Sequence, residues 1–457
     1  MNNFDLVINN GLLINDTHRV HANLGIIDGK IAAITNLPLL GNKVIDAKGK
    51  WVLPGVIDTH VHFALKQGQG EDAVLSDDDY ETGPIACAIG GVTTFLDYAI
   101  CPKKQRLPDF IRERIAMANA GSCIDYGFHC GVTNASQQSL DDIPKLFEMG
   151  IPSFKFFTTY KKWGFSVDLG FLWEVFNLLE EYNGVACVHC EQDDILEYLK
   201  EKYQDEDSMT YFASTRPDFA EEIPVYEMAV LAREARSRVH IVHLTTEKAL
   251  NVIRQARSNG VKIRTETCPH YLFYSDEVLE QEDGYLYTMT PPLRPKGNSE
   301  ALWEGLKDGT IESIASDHNA FGRLAKEKYN DWRTVPPGLG GSEMLLTFLH
   351  SEGVVKRNMS PEKMVRLLSS SPAEEFGIPG KGRLDVGYDA DIVIFNPDTV
   401  KTIRHQDLAT PSGFSIYEGV KMQGWPEMTL SRGEVIVEDR NFVGKVGRGR
   451  FIKRKMD

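Results

Sequence analysis

Cysteine is scarce and unpatterned. The 457-residue chain has seven, an odd number without framework spacing, which excludes a disulfide scaffold of the secreted kind. Cys187 and Cys190 form a CxxC around His189, but on a strand they face opposite ways, so buried thiols are expected rather than a redox pair. Long apolar runs are absent: none approaches the ~20 residues that span a bilayer. Positive charge is in deficit. Lys and Arg number 50 against 65 Asp and Glu, a formal net charge of −15, which argues against a nucleic-acid backbone as partner. The opening Met1-Asn2-Asn3-Phe4-Asp5 lacks the basic flank and apolar core of a signal peptide, so a cytoplasmic location is expected. There is no internal repeat and no low-complexity tract. What remains is ordinary globular composition, 42% hydrophobic and 25% charged, at a length that suits one large domain and one smaller.

The two ends read alike. Residues 1–53 are short strands broken by turn signals, Asn9-Asn10-Gly11 and Asp28-Gly29 the clearest. Strands around hairpins return near 390–395, 428–433 and 434–438. Both ends are expected to build one small β-sandwich, residues 1–53 plus 380–457, since termini often lie close together. The middle, 54–379, alternates short apolar runs with helical patterns such as 221–236. Eight strand candidates, at 56–62, 93–97, 126–130, 153–157, 186–189, 240–244, 262–266 and 314–317, fit an α/β fold, a (β/α)8 TIM-like barrel with insertions. The basic tail 447–455 reads as a solvated terminus or a patch that docks on a neighbouring subunit.

Chemistry concentrates at the strand ends. Asp58-Thr59-His60-Val61-His62 follows the apolar run Trp51-Val52-Leu53-Pro54-Gly55-Val56-Ile57, taken as one buried strand. Side chains two apart share a side, so His60 and His62 can offer two imidazoles to one point, and neutral imidazole is the commonest transition-metal ligand. Polar residues leaving a core would look the same. His189, His243 and Asp317 each close a short apolar run, and parallel barrels carry their chemistry at the C-terminal ends of strands. Lys155 lies inside Ser153-Phe154-Lys155-Phe156-Phe157, where an ammonium is costly. It is either a surface lysine on a misplaced strand or a buried amine modified by CO2. His240 is expected to pack against a helix, His129 to line the pocket or to be a hydrogen-bonded core residue, and His318 to point away from Asp317. His270 is placed in a loop, and His18, His21, His350 and His405 on the surface.

Taken together these residues resemble the dihydropyrimidinase/hydantoinase family of cyclic amidohydrolases, over almost the whole length. The resemblance runs through Pro54-Gly55-Val56-Ile57-Asp58-Thr59-His60-Val61-His62, Gly90-Gly91-Val92-Thr93-Thr94, Ser153 to Lys161, Glu266-Thr267-Cys268-Pro269-His270-Tyr271, Pro291-Pro292-Leu293-Arg294, Ser316-Asp317-His318 and Gly387-Tyr388-Asp389-Ala390-Asp391. It implies two divalent ions, usually zinc. His60, His62 and Asp317 would hold the first, His189 and His243 the second, and a carbamate on Lys155 would bridge them. Tyr160 and the backbone at Thr290 would hold a small-molecule substrate. A hydroxide shared by the ions would open a neutral cyclic ureide or imide to an N-carbamoyl amino acid, with Asp317 as proton carrier. The family is usually tetrameric, so a homo-oligomer is expected.

Two departures bear on substrate. The loop Phe63-Ala64-Leu65-Lys66-Gln67-Gly68-Gln69-Gly70 has neither the proline usual in dihydropyrimidinases nor the arginine with which dihydroorotases hold a ring carboxylate. Pro337, in Pro336-Pro337-Gly338, keeps a carbonyl acceptor but has no N–H. The rival readings are an allantoinase, which would share every metal ligand, and a non-catalytic scaffold protein of the same family, which would have lost some.

Overall fold

The computed structural model describes residues 4–67 and 73–456. Met1-Asn2-Asn3 and the Gly68-Gln69-Gly70 part of the loop after His62 lie outside the described residues. The centre is an eight-stranded parallel sheet in the order Val56–Val61, Val92–Ile100, Asp125–Gly131, Ser153–Phe157, Val185–His189, Arg238–Ile241, Ile263–Thr267 and Ser313–Ile314. The last strand meets the first through single residues: His62 donates its N–H to the His318 carbonyl (2.8 Å), and His318 donates to that of His60 (3.2 Å). The strands read as unbroken apolar runs because both faces are covered. Every residue of Ser153–Phe157 is buried. Phe154 faces the helix layer, 5.5 Å between ring centroids from Phe147 of the helix Gln137–Glu148. Lys155, one residue on, faces the barrel interior.

Both chain ends build a second, mixed sheet of nine strands: Phe4–Ile14, Arg19–Ile27, Lys30–Thr35, Gly41–Asp46 and Trp51–Pro54 with Ile392–Thr402, Lys421–Ser431, Glu434–Glu438 and Asn441–Phe442. The two ends join where Ile392–Phe395 pairs antiparallel with Trp51–Pro54. The apolar run 51–57 is therefore two strands, not one. It breaks at Gly55, where a Cβ would come within 2.0 Å of Thr93 Oγ1. Asn9-Asn10-Gly11 is a bulge inside a continuous strand, not a turn: the register slips between Ile8 and Gly11, and Asn10 takes φ 63°.

Beneath the barrel, Lys381 is buried among Asp125 on the third barrel strand (2.9 Å), Asp389 (3.1 Å) and Asp391 (2.5 Å) on the way back to the sheet. Those carboxylates converge closely enough to hold a metal, but the ammonium supplies the positive charge itself. The basic tail is docked on this chain's own barrel through its backbone and Arg454, while the side chains of Arg450, Lys453 and Lys455 stay exposed. Tyr126 donates to the Arg450 carbonyl (3.0 Å), Ile452 donates to that of Tyr126 (2.8 Å), and Arg454, 3% exposed, donates to Ser153 Oγ (2.9 Å) and the Phe128 carbonyl. His350 is likewise buried, not on the surface, its Nδ1–H on the Gln423 carbonyl (2.8 Å). All seven cysteines are buried and free.

Candidate active site

His60 sits within the first barrel strand and His62 one residue past its end. Their Nε2 atoms are 3.2 Å apart, and Asp317 Oδ1 lies 3.1 Å from one and 3.3 Å from the other. His189 closes the fifth strand and Lys155 is the middle residue of the fourth. His243 and Asp317 are not on strands. The sixth strand stops at Ile241 and the eighth at Ile314. Both residues take left-handed backbone, φ 38° and 49°, a conformation that costs a side-chain-bearing residue about 1 kcal/mol or more and clusters at working sites. That twist turns them into the barrel mouth, where the His243 ring lies 4.6 Å from that of His189 and 5.4 Å from that of His60.

The protonation pattern favours a cation. Glu266 Oε1 is 2.5 Å from His60 Nδ1, so Nδ1 carries the proton and the Nε2 lone pair faces His62 and Asp317. Glu191 Oε2 is 2.7 Å from His189 Nε2 and takes a further hydrogen bond from Arg216 Nη1 (2.5 Å), leaving His189 Nδ1 as the free donor. A carboxylate behind each of these two imidazoles fixes tautomer and ring orientation, as behind metal ligands generally. Burial pushes His60 down to about 4, against the pull of Asp317 and Glu266. Burial also lowers His189, and with the neighbouring His189 ring holds His243 well below the usual range. Burial alone would raise Asp317, but His60 and His62 outweigh it and leave the carboxyl at about 2. The neutral His60 imidazole and the ionised Asp317 carboxylate, with lone pairs converging, repel one another unless something positive sits between them.

Lys155 is 1% exposed and makes no ion pair among the described residues; its Nζ lies over the Tyr98 and Phe157 rings at 4.4 and 5.4 Å. Burial lowers it to about 8. At neutral pH that leaves roughly two orders of magnitude more free amine than an ordinary lysine has, and the free amine is the nucleophile that can add to CO2.

His62, Lys155, His189, His243 and Asp317 line a cavity of about 100 Å³ together with Tyr160, Thr290 and Pro337. Tyr160, at φ 68°, stacks on Trp163 (4.9 Å) and donates its hydroxyl to Thr290 Oγ1 (2.7 Å). Leu65, Trp163 and Phe165 form apolar walls. Phe63, expected among them, instead packs inward on Phe95 (5.1 Å). The other histidines are held elsewhere. His129 bonds Ser153 Oγ (2.7 Å), His318 bonds Asp78 (2.8 Å), and His240 lies 3.4 Å from both Glu266 and Glu375. His270 is in the short helix Pro269–Phe273, not a loop.

Four residues were missed by sequence reasoning: Glu266, Glu191, Arg216 and Lys326. Glu191, two residues after His189, had a readable HxE spacing; the others are neighbours only in space. Lys326 is fully buried, and its ammonium donates to the Thr288 carbonyl (3.0 Å), Thr288 Oγ1 (2.9 Å) and the Pro336 carbonyl (2.9 Å). It thus ties together the two loops that present Thr290 and Pro337. Lys326→Met removes the donors and strands the buried Pro336 carbonyl, at about 1–3 kcal/mol, while the Thr288 carbonyl keeps the Gly338 N–H (3.0 Å). The expected result is a lower Tm and a KM that rises more than kcat falls; unchanged KM in a folded variant would free the loops from Lys326.

The sequence profile of the amidohydrolase family matches residues 51–436. The chain belongs to the amidohydrolase family. Relatives place it in the hydantoinase/dihydropyrimidinase branch. It is 36% identical to a D-hydantoinase of Geobacillus stearothermophilus over 98% of this chain and 96% of that one. It is 34% identical to a D-phenylhydantoinase of Escherichia coli O81 (strain ED1a) over 98% of both. The crystal structure of dihydropyrimidinase from Brevibacillus agri NCHU1002 superposes with a TM-score of 0.95 at 32% identity, covering 98% of both chains. This amidohydrolase is a cyclic-amide hydrolase of a metal-dependent family, and the allantoinase reading is set aside because these relatives are hydantoinases and a dihydropyrimidinase. Among the described residues no helix is long and apolar enough to cross a membrane.

Proposed function

We propose that this amidohydrolase opens a small neutral ring, a 5-substituted hydantoin or a dihydropyrimidine, to an N-carbamoyl amino acid or the corresponding ureido acid. The observation that carries the reading is the convergence of His60 Nε2, His62 Nε2 and Asp317 Oδ1 within 3.3 Å, with the His60 proton held on the far side by Glu266. His60, His62 and Asp317 would hold one divalent ion and His189 and His243 a second, with a carbamate on Lys155 between them; histidine and carboxylate donors suit zinc. When bound, the ions supply Lewis acidity that activates a water at neutral pH and polarises the ring carbonyl.

The side chains do the rest. Tyr160 exchanges its bond to Thr290 Oγ1 for the carbonyl oxygen and donates to the oxyanion as charge develops there. Asp317 takes a proton from the attacking water as the O–C bond forms. It returns that proton to the ring nitrogen as the C–N bond breaks. The Thr290 and Pro337 backbones offer carbonyl acceptors to ring N–H groups, and Pro337 offers no donor. Leu65, Trp163 and Phe165 shield the site from water and receive the exocyclic group. The loop after His62 has no arginine for a ring carboxylate, which favours a neutral ring. The reading also includes a barrel unit at 54–379 with a composite unit at 1–53 plus 380–457, a homotetramer, and a cytoplasmic setting.

The test is kcat/KM for hydantoin, phenylhydantoin, dihydrouracil, allantoin and dihydroorotate on zinc-loaded enzyme. Hydantoins or dihydrouracil should lead. A clear preference for dihydroorotate or allantoin would defeat the neutral hydantoin-type assignment.

A further inference from the structure

Beside the catalytic cavity lies a larger one of about 910 Å³. The two share His62, Leu65, Lys66, Trp163 and Phe165, so the second opens directly off the ligand-bearing end of the first. Its described lining holds five cationic side chains, Lys66, Lys103, Lys104, Arg114 and Lys162, and no carboxylate. That reverses the balance of a chain with 65 acids and 50 bases. Two of the five are answered from outside the lining, Lys162 by Glu197 and Arg114 by Asp97 (3.2 Å). Arg114 is nonetheless 12% exposed in the cavity wall, with its Nε buried and without a hydrogen-bond partner. Lys66, Lys103 and Lys104 make no ion pair among the described residues.

Position gives these charges a use. Lys103 and Lys104 follow the second barrel strand, Val92–Ile100, at the mouth where loops decide which substrate fits. Lys103 lies against the loop that carries Tyr160 and Trp163: a Cβ on Gly164 would be 3.2 Å from its Nζ. A protein of net charge −15 repels anions at long range, and a local basic lining reverses that field where it matters.

We propose that this second cavity is the subsite for the substrate's exocyclic arm, and that the arm ends in a carboxylate. The inference rests on the ring-opening reading above and narrows it: the ring at the metal end is neutral, and its side chain carries the negative charge out to Lys66, Lys103 and Lys104. A carboxylate on the ring itself would lie at the wrong end of the site.

The experiment compares kcat/KM for 5-(2-carboxyethyl)hydantoin, its near-isosteric neutral amide and unsubstituted hydantoin, at low and high salt, in the zinc-loaded wild type and in a Lys103→Gln/Lys104→Gln variant. The acid should exceed the amide by about tenfold at low salt, mainly through KM, and the margin should narrow as salt screens the pair. The double variant should lose most of that margin while opening hydantoin at the wild-type rate. Acid and amide hydrolysed equally, or an acid preference untouched by the double variant, overturns the subsite and leaves the ring-opening reading standing. Failure to open any of the three rings, or dihydrouracil assayed beside them, overturns both.

Discussion

Asp317→Asn is expected to keep the fold and lower kcat by about a thousandfold or more. A positioned proton carrier contributes roughly 10²–10⁴ in rate, and asparagine keeps the shape of aspartate without its ability to take and return a proton. The carboxylate is the sole acid within 3.3 Å of both His60 and His62 Nε2 among the described residues, so no neighbour can substitute. It is also a proposed metal ligand, so metal content is measured on the same sample. A variant that retains metal and an unchanged Tm but has lost turnover isolates the proton-transfer role. Retention of a tenth of wild-type kcat, a barrier change of only ~1.4 kcal/mol, would remove Asp317 from that role.

Lys155→Ala is expected to empty the site. Protein purified without chelator should carry close to two transition-metal ions per chain, the number a shared bridge requires, and the variant should keep about one or fewer and lose activity with them. The lysine stands in an otherwise apolar strand without an ion-pair partner, and burial has already lowered its amine to about 8. Acetate or propionate added to the variant should restore part of the activity by filling the space where the carbamate would sit. A crystal structure of the fully metal-loaded wild type with an unmodified Lys155 ammonium would refute the bridge, and full metal content in Lys155→Ala would do the same.

The part of the site that follows strand periodicity was legible in the chain. His60 and His62 are two apart on one strand, and Ser153–Phe157 lies where its unbroken apolar run says, because that run is covered on both faces. His243 and Asp317 could be placed near strand ends but not on their true backbone, since left-handed φ leaves no mark on histidine or aspartate. Glu266 reaches His60 across the barrel and Arg216 holds Glu191 behind His189, through contacts that no local spacing encodes. The tail misled for a related reason. Its exposed Arg450, Lys453 and Lys455 are what such a run suggests, but the burial of Arg454 and the docking of the Ile452 backbone depend on the carbonyls of Phe128 and Tyr126, which lie in distant sequence. Gly55 hides the border between barrel and sheet because apolar residues on either side suit both.

The pairing of Ile392–Phe395 with Trp51–Pro54 sets an order of events during synthesis. The first five strands leave the ribosome early, but that edge of the sheet stays open until the whole barrel has been translated. At ordinary elongation rates the wait is on the order of tens of seconds. Through that interval Trp51–Pro54, paired on one side with Phe4–Ile14, presents its other edge open and apolar, the kind of edge that captures other chains. Yield of active enzyme in a producing cell should therefore respond to growth temperature and chaperone supply more steeply than the finished protein's heat resistance suggests.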